Sequence, residues 1–240
     1  VNKKFWEIKN SADNTGEVFI YGDIVSWKWD DTDVTAADFK KDLDALGDIK
    51  TLNVYINSYG GSVFQGQAIY SILQRHSAEK HVYVDGIAAS IASLIAMAGD
   101  KIYMPANAMM MIHNPIARCV GNAQDMRKTA DELDKIREAM LPAYLDKAGD
   151  KLTEDKLIEL LDAETWLTAQ DCLAYGLCNE VLEDKQVAAC ADTQMLETFK
   201  NVPEALKATS KSKEDEEARQ SIIAKSRETL SQINNILGGM

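Results

Sequence analysis

"TLNVYINSYGGSVFQGQAIYSILQRH" occupies residues 51–76, and its reading decides the fold. Leu52, Val54 and Ile56 fall on every second position, the period of a β-strand over 51–57. The turn Ser58-Tyr59-Gly60-Gly61-Ser62 ends that pattern, and 63–76 reads as a helix. A strand passing through paired glycines into a helix is one βα unit. Glycines at such a turn let backbone approach a ligand closely, because no Cβ intrudes. Their N–H groups suit an extended peptide or an oxyanion, although a Gly-Gly turn alone is weak evidence for either.

The same order recurs on both sides. "EVFIYGDIVSW" (17–27) is rich in β-branched and aromatic residues and reads as the first strand element. "TAADFKKDLDAL" (35–46) offers Thr35 as a helix cap and spaces Phe39, Leu43 and Leu46 for one helix face. "KHVYVDG" (80–86) is another strand, followed by the small-residue turn Gly86-Ile87-Ala88-Ala89 and a helix beginning at Ser90. "KIYMPANAMMMIH" (101–113) reads as two short extended pieces split at Pro105–Asn107. Strand and helix alternate from 17 to 113, which argues an α/β fold built on βαβ crossovers.

Beyond residue 121 the texture changes. Residues 122–147 form a long charged helix with Met126, Ala130, Leu133, Met140 and Tyr144 on one stripe and Pro142 inside it. Shorter helices follow at 153–162 and 168–176, capped by Thr153 and Thr168, then a terminal strand at 177–182. The expected organisation is an N-terminal segment 1–16, a domain 17–184, and a C-terminal extension 185–240. In that extension 207–220 is a mixed-charge run, and Ile223, Leu230, Ile233 and Leu237 space a short amphipathic helix or a loosely docked tail.

Bulk properties narrow the function. A net charge of -12 and a pI near 4.7 argue against nucleic acid as a partner. The uncharged run Gly86–Gly99 is fourteen residues, short of the roughly 20 that span a bilayer, so no membrane association is expected. "VNKKFWEIKNSADNTG" (1–16) lacks the apolar region of a signal peptide. Cys119, Cys172, Cys178 and Cys190 show no CxxC spacing, which argues against zinc and suits a reduced, cytoplasmic protein.

Of three histidines, His76 closes a helix and His81 opens a strand, so both suit the surface. His113 ends the apolar run "MMMI" and precedes "NP". There it is either a satisfied core residue or a base, depending on what converges on it. Ser90 stands at a strand-to-helix turn, where its Oγ projects and nearby N–H groups face an incoming oxyanion. The same position is also that of an ordinary serine N-cap. Ser93, one turn on, suits a bond back to the helix backbone. An acid for the histidine would come from "LLDAETWLTAQD" (160–171). Glu164 precedes the apolar pair Trp166-Leu167, Asp162 is a second candidate, and Asp171 sits within a helix.

Four of these segments, in order, resemble the proteolytic subunit of the Clp protease, ClpP: "VYINSYGGSVFQGQAIYSIL", "VDGIAASIASLIAMAGD", "MMMIHNP" and "ETWLTAQDCLAYGLCNEV". The resemblance covers about 17–183. It implies the ClpP/crotonase-like fold of repeated β-β-α units, with 122–147 as a protruding handle helix through which rings stack. It implies serine peptidase chemistry with Ser90 as nucleophile, His113 as base and Glu164 as acid. The oxyanion donors then fall on the backbone N–H groups of Gly61 and Ile91, and Gly60–Gly61 flank the substrate. Partners would be further copies of the chain, peptide or protein substrates and a Clp-type ATPase. No cofactor is expected in the chain itself, ATP entering only through that partner.

The chain departs from the family at two site positions and in its N-terminal segment, which does not resemble the family's pore-gating loop. Tyr59 stands where the family usually has Pro, and Glu164 where it usually has Asp. With the extra tail, these features look like the ClpP-related proteases of prophages, which implies capsid or scaffold processing. Two other readings stay open: a crotonase-type acyl-CoA enzyme on the same fold, and a non-catalytic assembly subunit.

Overall fold

Val18 and Ile20, Leu52, Val54 and Ile56, Val82 and Val84, and Ile102 and Met104 are all buried, each the inward-pointing set of one strand. The strands are β2 (Thr15–Tyr21), β3 (Thr51–Ser58), β4 (Glu79–Ala89) and β5 (Lys101–Pro105). The computed structural model describes residues 4–25, 35–183, 196 and 198–203. It divides the chain into two units, Val1–Ala189 and Cys190–Met240. Nearly all of the expected extension, including the spacing Ile223–Leu237, lies outside the described residues.

The sheet runs β1-β2-β3-β4-β5-β8, with β1 at Trp6–Asn10 and β8 at Glu180–Leu182. Only β1 joins this path antiparallel, against β2, and the other neighbours are parallel. β1 lies within the segment set apart at 1–16. Trp6 and Ile8 alternate with Glu7 and Lys9, but the run is five residues long and only Trp6 is fully buried, so its strand period is short. The crossovers are helices: α1 (Ala36–Asp44) before β3 and α2 (Val63–Gln74) before β4. The expected α/β class with repeated strand–helix units is the observed architecture. On the other face, Phe19, Tyr55, Tyr83 and Tyr103 stack across four strands, with centroids 4.7, 5.2 and 4.9 Å apart.

β4 is the strand that builds the site, because it changes partners along its length. His81–Tyr83 pair with β5, whereas Ile87–Ala89 pair with β6 (Met109–Ile112). Between these halves the register with β3 slips, from Ile56–Val84 to Ser58–Ala88. The stretch Gly86–Ala89, read from its small residues as a turn, is therefore strand. Ala88 is held by Ser58 on one edge and Met110 on the other, and two-sided pairing outweighs weak local propensity. β6 then pairs antiparallel with β7 (Thr165–Thr168).

α3 (Ile91–Ala96) follows β4 at once. Six residues cannot sustain a helix in water. This one stands because all six of its residues are buried. α4 (Ala123–Ala148) is the long charged helix, capped by Asn122, whose side chain accepts from the N–H groups of Gln124 and Asp125. It runs through Pro142 and is buried only from Met140 onward, at Met140, Leu141, Ala143, Tyr144 and Ala148. Its outer stripe is uncovered, Met126 being 53% exposed. α5 (Glu154–Asp162) and α6 (Ala169–Ala174) flank β7.

Candidate active site

Ser90 caps α3 with φ 54° and ψ -129°, a conformation that an L-residue holds at a cost of about 1–3 kcal/mol. Its N–H donates to the Met111 carbonyl of β6 at 2.9 Å, which ties the strained turn to the neighbouring strand. The turn projects the hydroxyl sideways to His113, whose Nε2 lies 2.8 Å from Ser90 Oγ. His113 follows directly on β6, so the pairing that fixes Ser90 also fixes the imidazole. Both residues are only partly buried, open enough for a substrate to reach.

Gly60 packs directly against this serine. A Cβ on Gly60 would lie 2.8 Å from both the Ala89 carbonyl oxygen and Ser90 Cβ, and 3.1 Å from the Ile91 nitrogen. Only glycine fits there, and its φ of +96° demands the same residue. The Gly60 N–H is taken by Ser58 Oγ at 3.1 Å. Ser58 is buried and gives its own proton to the Gly22 carbonyl. Gly61 is paired in parallel with Ile24, whose N–H donates to Gly60 O at 2.8 Å and whose carbonyl accepts from Ser62 N–H at 2.7 Å. In such a pair the middle residue turns its own N–H to the opposite edge. Here that edge is the one next to β4. Gly61 is exposed where Gly60 is buried.

The acidic candidates separate. Asp162, at the end of α5, accepts on Oδ1 from Asn114 Nδ2 at 2.7 Å and from Arg137 Nη1 of α4 at 3.3 Å. Glu164 lies two residues on, at φ 48°, its N–H donating to the Leu161 carbonyl at 3.2 Å. That is the left-handed position after a helix where glycine is the usual residue. The last β6–β7 pair is Ile112–Thr165. Carried one residue further, the antiparallel register sets His113 opposite Glu164. Asp171 is spent in the cap of α6, accepting from the Thr168 N–H and hydroxyl.

The residues that hold this arrangement were not singled out by sequence. Asn114 had a signal, as the direct neighbour of His113. Arg137 had none, because on a charged helix it reads as one more solvated side chain.

A family model described as Clp protease matches residues 5–185. Three curated relatives carry the name ATP-dependent Clp protease proteolytic subunit. One from Bacteroides fragilis strain ATCC 25285 is 36% identical over 145 residues, covering 60% of this chain and 69% of its own length. One from Bacteroides fragilis strain YCH46 is also 36% identical over 145 residues, covering 60% of this chain and 65% of its own length. One from Bacteroides thetaiotaomicron is 34% identical over 145 residues, again 60% and 65%. The chain thus spans about two thirds of the length of the relatives it matches.

Proposed function

The chain belongs to the Clp protease family, and on that premise we propose that it is a serine endopeptidase acting on unfolded or accessible protein chains. The observation that carries this reading is the 2.8 Å contact between Ser90 Oγ and His113 Nε2. His113 takes the serine proton as Ser90 Oγ attacks a peptide carbonyl. The tetrahedral oxyanion is held by the N–H groups of Gly61 and Ile91. His113 then returns the proton to the leaving amine, and a water activated by the same imidazole hydrolyses the acyl-enzyme. Glu164 holds the Nδ1 proton of His113 and stabilises the imidazolium. Three observations support Glu164 over Asp162: the β6–β7 register, the engagement of Asp162 by Asn114 and Arg137, and the retention of a side chain where glycine would be less strained.

The substrate lies extended along the open edge beside Gly60–Gly61, joined as an added strand. A crotonase-type acyl-CoA site has no use for a serine–histidine hydrogen bond, so that contact favours the peptidase. Stacked rings meeting through α4, a Clp-type ATPase partner and capsid or scaffold chains as natural substrates follow from the resemblance, and a cytoplasmic setting from the scattered cysteines, and all belong to the same proposal. The uncovered outer half of α4, with Met126 and Leu133 not buried, supports the self-association. Among the described residues no helix is long and apolar enough to cross a membrane. The proposal includes no cofactor in the chain itself.

Ser90→Ala is the test. Hydrolysis of a fluorogenic peptide by the wild-type chain, falling by about 10⁴-fold or more in the folded variant, is the expected result. Undiminished turnover in Ser90→Ala would remove the assignment.

A further inference from the structure

Ser93 and Tyr144 have no part in the mechanism above, yet both are fully enclosed, at 0% and 1% exposure. Ser93 Oγ lies 2.5 Å from the Ser90 carbonyl oxygen and 2.8 Å from the Tyr144 hydroxyl. A carbonyl oxygen only accepts, so the one Ser93 proton goes to Ser90. The Tyr144 hydroxyl must then donate to Ser93. Burial pushes the Tyr144 phenol well above its ordinary range, so the donor keeps its proton. The Ser93 N–H donates to the same carbonyl at 3.0 Å.

The consequence lies across one bond. The Ser90 carbonyl and the Ile91 N–H belong to a single planar trans peptide and point in opposite directions. Two donors gripping the oxygen therefore set the direction of the N–H. They also draw charge toward the oxygen, which makes the N–H a better donor. We propose that Ser93 and Tyr144 are positioning residues that aim and polarise the Ile91 N–H as an oxyanion donor. The inference rests on the serine peptidase reading and adds the support behind one arm of its oxyanion hole. A purely structural role would not need these hydroxyls. An alanine and a phenylalanine at the two positions leave no unpaired polar group, and such paired replacements can be nearly neutral in stability.

The test uses Ser93→Ala, Tyr144→Phe and the double variant. The readouts are the second-order rate of fluorophosphonate addition to Ser90, followed by intact mass, and kcat and KM for a fluorogenic peptide. Tyr144→Phe is isosteric and carries the test should Ser93→Ala fail to fold. Expected losses in addition rate are about 3- to 10-fold for Tyr144→Phe and about 10- to 100-fold for Ser93→Ala, less than outright removal of an oxyanion donor. The loss should fall on kcat, with KM unchanged. The double variant should react no more slowly than Ser93→Ala, because Tyr144 acts through Ser93. Folded variants that react at the wild-type rate, or lose only KM, overturn the inference and leave the peptidase reading standing. A folded wild-type chain that never adds the probe overturns both.

Discussion

Gly60→Ala is the substitution that most strictly tests how the Gly-Gly turn serves Ser90. Alanine at φ +96° carries a backbone penalty of about 1–3 kcal/mol. The new Cβ would stand 2.8 Å from the Ala89 oxygen and from Ser90 Cβ, where ordinary contact begins near 3.4 Å. Something must retreat by roughly 0.6 Å, and two of the three close atoms are backbone. If β4 gives way, Ser90 moves relative to His113. If the turn gives way, Gly61 moves relative to Ser90. Misplacement approaching 1 Å costs about 10²-fold in rate, so kcat/KM should fall by about 30- to 100-fold. The control is Gly47→Ala, at φ +69° with nothing within 4 Å of its added Cβ. It shares the backbone strain and touches nothing. Both variants should lose stability by thermal unfolding, and only Gly60→Ala should lose peptide turnover, assayed well below its midpoint. A folded Gly60→Ala with wild-type kcat/KM would refute the argument that this turn sets the site.

Glu164→Gln should lower kcat by about 10²- to 10⁴-fold, whereas Asp162→Asn should cost less than about 10-fold. Steady-state kinetics of the pair decide which acid serves His113, and the reverse order would reassign it. Burial raises the Asp85 carboxyl above the ordinary range, with the Tyr21 hydroxyl pulling it partway back. A raised folded value means the folded chain holds this proton more tightly than the unfolded one. Stability from this group is therefore lost as pH rises from about 4 through the folded value. Asp85→Asn should flatten that part of the slope in denaturant midpoints taken from about pH 4 to about pH 7, and an unchanged slope would refute the cause. Met126→Asp with Leu133→Asp should lower the assembled mass in analytical ultracentrifugation while leaving the monomer fold intact, because neither side chain is buried. An unchanged mass would exclude α4 as the stacking surface.

The strand–helix order was legible because burial imposes a period. Leu52, Val54 and Ile56 alternate, and each is fully buried in β3. Three features were not legible, each for a nonlocal reason. β1 offers only the brief alternation of Trp6 and Ile8 with Glu7 and Lys9, and it stands as a strand because β2 offers an edge. Gly86–Ala89 is strand because Ser58 and Met109–Met111 pair it from both sides, which local propensity cannot register. The left-handed backbone of Glu164 has no signature in a residue that rarely takes it. The site itself was half legible. Ser90 and His113 are each ambiguous by local position, an N-cap and a core histidine being equally open, and only the four motifs in order single them out. The Ser58 grip on Gly60, the Asn114–Asp162–Arg137 link and the Tyr144–Ser93 relay join residues up to 51 positions apart and exist only once the chain is folded.

Mapping the site of fluorophosphonate addition by mass spectrometry, on the folded chain with Ser90→Ala and His113→Ala alongside, tests the central claim most directly. The expected result is one adduct on the Ser90 peptide of the wild type, absent from Ser90→Ala and slowed by about 10³-fold or more in His113→Ala. A folded wild type that carries no adduct at Ser90, or carries it equally fast without His113, would contradict the serine–histidine mechanism.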